Sequence, residues 1–158
     1  MSKLLNDEKN ILLQLNLISS EMLDYNAERA TFENWIPFNF MLNVENGMLT
    51  YIFENNETFT QLEVEELIQN VEKVCGDYMC SEFSFTPLEN YFELKIENLF
   101  EDDLLEMEWW FDKGILSEGK NYGFSEGVKF NVIKNDLLIF VRTLREELNV
   151  LISTQEIL

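Results

Sequence analysis

Several short runs of this chain alternate apolar and polar residues, and side chains on a strand alternate faces with period two. Between Ser81 and Asp112 the alternation occurs three times. Phe83 and Phe85 oppose Glu82 and Ser84. Phe92, Leu94 and Ile96 oppose Glu93, Lys95 and Glu97. Leu105, Met107, Trp109 and Phe111 oppose Glu106, Glu108, Trp110 and Asp112. Turns at Pro87 and at Glu101-Asp102-Asp103 separate the three runs. The pattern predicts a three-stranded antiparallel meander, apolar on one face and acidic on the other.

The rest of the chain reads in the same way. Ile11, Leu13, Leu15 and Leu17 alternate with a partly polar set, which indicates a strand, with a short helix from Asn6 as the alternative. Residues 19–37 are polar and irregular, with room for an edge strand at Met22 to Tyr25. Phe38 to Val44 alternates clearly. Glu45-Asn46-Gly47 then suits a type I′ hairpin turn, and the return strand places Leu49, Tyr51 and Phe53 on one face. Asn55-Asn56 ends the hairpin. Thr60-Gln61-Leu62-Glu63 is a capping box, and Val64, Leu67, Ile68, Val71, Val74 and Cys75 follow at helical spacing, with Gly76 placed to end the helix. A glycine-punctuated loop from Gly114 to Gly127, including Gly119 and Gly123, leads to a strand with Val128, Phe130 and Val132. Asn135 is placed to cap a last helix that buries Leu137, Phe140, Val141, Leu144, Leu148 and Leu151, with Arg142, Arg145, Glu146 and Glu147 toward solvent.

The predicted fold class is therefore α+β. A single antiparallel sheet, flat or strongly curved, holds about six strands near 38–44, 48–54, 81–86, 91–98, 104–112 and 128–133. Two amphipathic helices near 61–75 and 136–151 pack on its apolar face. No repeat, linker or low-complexity stretch divides the chain, so residues 1–158 are expected to form one domain, with 1–37 the less regular part.

Charge changes the picture. The chain has thirty acidic and eleven basic residues, a net charge of −19, and no histidine. Residues 54–108 hold sixteen of the acids and only Lys73 and Lys95 as bases, so they carry −14 of that total. With 46% hydrophobic residues the chain still has ample material for a core, which argues against an acidic disordered chain. The field repels nucleic acid and anionic membranes and favours basic partners; it also serves solubility alone if no partner uses it.

Candidate chemistry is sparse. Without histidine the commonest general base and metal ligand is missing. No glycine-rich phosphate loop or Gly-x-Ser-x-Gly elbow occurs. Cys75 and Cys80 make neither a disulfide framework nor a zinc site and are expected to be free thiols in a reducing compartment. No catalytic residue, metal or other cofactor is expected. Carboxylates remain, and pairs of them can run hydrolysis or hold divalent ions, but an open sheet face offers no pocket for either. Trp110 stands among outward glutamates. Either it anchors an interface, or a loop or the N-terminal segment covers it, or both faces of the sheet are partly buried. The candidate partner-binding set is Glu82, Glu93, Glu97, Glu106, Glu108 and Trp110. No signal peptide or membrane span is expected, which points to the cytoplasm.

From Tyr51 to Leu151 the chain resembles the WapI-like immunity proteins of bacterial polymorphic toxin systems. The likeness lies in Thr58-Phe59-Thr60 with Leu62, Glu66 and Leu67, then Phe85-Thr86-Pro87-Leu88-Glu89 with Tyr91-Phe92-Glu93-Leu94, a strand ending in Trp109, and a last strand and helix with Phe140 and Leu144. The resemblance implies a small cytoplasmic protein that binds and neutralises a toxin's C-terminal domain, often a nuclease. Two other expectations stand beside it: a phage-type DNA mimic that blocks a nucleic-acid-binding protein, and a carboxylate-dependent hydrolase or metal enzyme.

Overall fold

The strands assemble into two antiparallel sheets rather than one. The computed structural model describes residues 1–54, 56–116 and 123–157. The first sheet has the order β1 (Ser2–Leu5), β2 (Ile11–Leu17), β3 (Trp35–Val44), β4 (Leu49–Phe53), with β5 (Thr58–Thr60) paired to the start of β3. The second has the order β6 (Glu82–Phe85), β7 (Phe92–Glu101), β8 (Leu104–Asp112), β9 (Ser125–Ile133). The single-sheet expectation fails because alternation shows which face of a strand is buried, not which strand lies beside it. The α+β class stands. The expected strands fall into the two sheets: 38–44 and 48–54 into the first, the other four into the second.

The inner faces of the sheets meet through aromatic rings. Phe40 lies 5.5 Å from Phe92 and 5.3 Å from Trp109, and Tyr51 stacks on Phe111 at 4.1 Å. Aromatic pairs of this kind add stability beyond the area they bury. The Tyr51 hydroxyl, at the rim, donates to Glu126 of β9 and so links the two sheets. A backbone bond does the same, from the Asp7 amide to the Asn131 carbonyl at 2.9 Å.

Helix α1 (Gln61–Gly76) packs on β5, β6 and β7, and a long helix (Lys134–Ile157) packs on β1, β2 and β9 and against α1. A four-residue helix, α2 (Lys113–Leu116), follows β8, so the long helix is α3. Each long helix buries its expected stripe, and one continuous apolar core runs through both sheets and both helices.

The capping box forms as read. Thr60 Oγ1 accepts from the Glu63 amide at 3.2 Å, and Glu63 Oε2 accepts from the Thr60 amide at 2.6 Å. The other Glu63 oxygen accepts from the Leu88 amide, so one carboxylate starts the helix and holds the β6–β7 loop.

Several local expectations need correction. Residues 1–37 are more regular than expected, because β1 pairs with β2 and β3 begins at Trp35. The proposed edge strand at Met22 to Tyr25 amounts to one bridge, Asp24 to Trp35. Gly76 is still helical, and Asp77 caps α1 with extended backbone. The β3–β4 connection has four residues, not two, since Val44 pairs with Leu49; Glu45, Asn46 and Gly47 all take positive φ. The two-residue hairpin with both central residues left-handed is instead Asp102-Asp103, between Glu101 and Leu104. The last strand starts at Ser125, and α3 starts at Lys134, one residue before the expected cap. Glu147 is not merely solvated, because its Oε2 accepts from the Leu17 amide at 3.0 Å and ties β2 to α3. Gly119 and Asn55 lie outside the described residues. Cys75 is buried, Cys80 half-buried, and both are free.

Candidate functional site

Register brings the predicted residues together on the outer face of the second sheet. Reading across β6, β7, β8 and β9, the first row is Glu82, Glu97, Glu106 and Asn131. The next is Ser84, Lys95, Glu108 and Lys129. The third is Glu93, Trp110 and Gly127, and Asp112 with Ser125 closes the face. All six predicted residues therefore share one surface. Six carboxylates stand against two ammonium groups there, a net of −4.

The rows differ in electrostatic character. In the second, Glu108 lies between Lys95 and Lys129, so unlike charges alternate. In the first, three carboxylates follow one another on adjacent strands, which lie about 4.8 Å apart. Directly opposed like charges destabilise a sheet. Diagonal ion pairs relieve the row in part: Lys95 Nζ sits 3.4 Å from Glu82 Oε2, and Lys129 Nζ sits 2.9 Å from Glu106 Oε1. Glu97, in the middle, receives no such ion pair among the described residues. Hydrogen bonding to Glu106 and the charges of Glu106, Glu108 and Glu97 hold the Lys129 ammonium above its ordinary range.

Trp110 is 42% exposed, and among the described residues no segment encloses it. Its indole Nε1 donates to Glu108 Oε1 at 2.6 Å, and its ring lies over Gly127 on the neighbouring strand. An added Cβ at Gly127 would sit 2.8 Å from ring atoms Cδ2 and Cε3. The ring thus rests close against Gly127 and is tied through its Nε1 to Glu108, with Glu93, Trp110 and Asp112 rimming a shallow hollow of about 220 Å3. Trp109, next in the chain, points the other way and is 2% exposed in the core.

Sequence reading missed two contributors, Lys129 and Gly127. Both lie at outward positions of β9: Lys129 alternates with Val128 and Phe130 inside the expected strand, and Gly127 lies one residue before its expected start, so the same period-two count could have found both. A larger hollow of about 350 Å3 lies elsewhere, between the end of α1 and the β7–β8 turn, and includes Asn98, Phe100, Asp102 and Asp103. Asp103 there pairs with Lys134 at 3.6 Å. Among the described residues no group of three or more Cys, Asp or Glu side chains is arranged to hold a metal ion, and no helix is long and apolar enough to cross a membrane. Comparison with protein-family models, with curated proteins and with solved structures gives no match.

Proposed function

We propose that this chain is a non-enzymatic binding protein whose acidic sheet face docks on a basic protein. The partner we favour is a toxin domain of the nuclease kind, which makes the chain a cytoplasmic immunity protein. The observation that carries the reading is the row Glu82, Glu97, Glu106. Three like charges in register cost the free protein stability, and a cationic surface laid over them relieves that cost. A nuclease groove lined with Lys and Arg to neutralise phosphates has the required charge. Trp110, half-exposed and held at the edge of the same face, has the chemistry of an interface anchor among charged neighbours. The resemblance in order of elements to WapI-like immunity proteins, read from the sequence, supports the same partner class.

The test begins with a pull-down from the native host, followed by stopped-flow association at two ionic strengths. Charge steering predicts an on-rate that falls steeply with salt. Reversing Glu93 and Glu97 to lysine slows association at low salt by about an order of magnitude, as expected for lost steering. Glu106→Gln and Glu108→Gln serve better than reversal at their positions, because Glu106 pairs with Lys129 and Glu108 holds the Trp110 indole. An on-rate and salt dependence unchanged by these substitutions would remove the acidic face as the binding surface.

A further inference from the structure

The outer face of the other sheet has the opposite character. Strands β2, β3 and β4 contain no charged residue at all. In a chain of net charge −19 this is the exception. Their outward positions carry amides and aliphatics in register: Leu12 beside Asn43, and Gln14 beside Met41 and Ile52. Among the described residues the charges on that sheet's outer face lie at its margins: Lys3, on the edge strand β1 opposite Gln14, and Glu54, just past the end of β4, which lines a hollow with Gln14, Met41 and Ile52. Asn39 Oδ1 and Asn43 Oδ1 are shielded from solvent and accept no hydrogen bond from any described residue. Ile52 is 46% exposed.

We propose that this neutral face binds a second copy of the chain, forming a two-fold symmetric dimer. The argument is electrostatic first. Two copies repel one another through any surface that carries their acidic side chains. The β2–β3–β4 strands let them approach across uncharged residues, with Glu54 at the margin the one carboxylate on that face among the described residues. Chemistry supports the same occupant. A two-fold contact needs a surface complementary to itself, and a carboxamide carries donor and acceptor together. The Asn and Gln side chains therefore meet their own copies productively through the amide atoms that remain accessible. Met41 and Ile52, side by side in the middle row, supply the apolar contact. A strongly basic partner gains nothing from this face and is directed to the opposite sheet, so the inference does not depend on the function proposed above.

Sedimentation velocity across a wide concentration range tests it. The parent chain, 18.7 kDa as a monomer, sediments at about twice that mass. Added salt strengthens the dimer, because screening weakens the general repulsion between like-charged copies while the neutral contact is unaffected. Met41→Glu and, separately, Ile52→Glu place carboxylates on the two-fold contact and return the mass to 18.7 kDa. Circular dichroism confirms that each variant is folded, and the exposed edge-strand position Ile52 keeps the test valid if Met41→Glu does not fold. Glu97→Lys, on the opposite sheet, leaves the dimer intact. A parent chain that remains at 18.7 kDa at every concentration and salt overturns the proposal. So do folded Met41→Glu and Ile52→Glu variants that still dimerise.

Discussion

The Trp110 ring lies across Gly127, the residue opposite it in the β8–β9 register, so closely that a methyl group at Gly127 would come within 2.8 Å of two ring carbons. The same methyl would lie 3.0 Å from the Trp109 carbonyl oxygen, part of the backbone and unable to swing away. Gly127→Ala is therefore expected to lift the indole and destabilise the fold by about 1–3 kcal/mol, the usual range for overpacking. Trp110→Ala removes most of the clash, so a double-mutant cycle in urea should be markedly non-additive. Additive effects would show that the ring does not rest on Gly127 in solution.

The same pair bears on binding. Trp110→Ala should raise the off-rate of the partner complex with little effect on the on-rate, costing about 2 kcal/mol or more if the ring is an anchor. Gly127→Ala should act in the same direction by disturbing a ring it leaves chemically intact. Dissociation traces for the two variants make the comparison.

Glu97 offers a stability test of the acidic row. It lies between Glu82 and Glu106, and the nearby lysines pair with those two instead. Glu97→Gln should stabilise the free protein by about 0.2–1 kcal/mol, the scale of a cross-strand pair, and the gain should shrink as salt rises. The same substitution should weaken partner binding. A destabilised Glu97→Gln variant would mean that the row is already neutralised in another way.

Asn98 is a buried polar tie. Its Nδ2 donates to the Val74 carbonyl at 2.8 Å, its Oδ1 accepts from the Phe100 amide at 2.9 Å, and its own amide donates to the Ser81 carbonyl at 2.7 Å. The side chain thus fastens the end of α1 to the bulge in β7. Asn98→Leu leaves the Val74 carbonyl and Phe100 amide without their partners, and about 1–3 kcal/mol of stability should be lost. Chemical denaturation reads this directly.

Alkaline pH should destabilise the fold through Cys75 and Tyr51. Burial pushes the Cys75 thiol up to about 11 from an ordinary value of 9.0, with Lys134 opposing and Glu72 adding to the shift. Burial and the bond to Glu126 raise the Tyr51 hydroxyl above its ordinary value of 10.0. Both folded values lie above the unfolded ones, so above pH 9 the unfolded chain binds fewer protons than the folded one. The contribution is complete below pH 9 and declines as pH rises through about 11 for Cys75, with the Tyr51 share declining from pH 10 upward. Cys75→Ala and Tyr51→Phe should each flatten the fall in melting temperature over its own interval.

The inward faces of the strands were legible in the sequence because burial imposes a period that a single chain displays. Phe92, Leu94, Ile96, Leu105, Met107, Trp109 and Phe111 are all buried as their alternation requires. The partition into two sheets was not legible. Phe40 and Phe92 read alike whether they lie beside each other in one sheet or across from each other in two. The strand β1 was hidden by its shortness and by an inward Ser2. The six predicted acidic-face residues do share one surface. The rows within it required register, which is why Glu97 between two carboxylates, or Gly127 beneath Trp110, emerged only from the pairing.

The packing of α3 on β1 and β2 joins the last long helix to the first two strands. During synthesis the inner face of β2, with Leu13 and Leu15 fully buried in the finished fold, lacks the cover of α3 until residues 134–157 have been made. The second sheet closes over β3 and β4 only after β7 and β8 have been added, again far along the chain. Folding therefore waits for contacts of long sequence separation, which slows it and leaves the uncharged strands β2–β4 exposed in the nascent chain. The acidic segment that follows them, residues 54–108, carries the charge that keeps such intermediates apart.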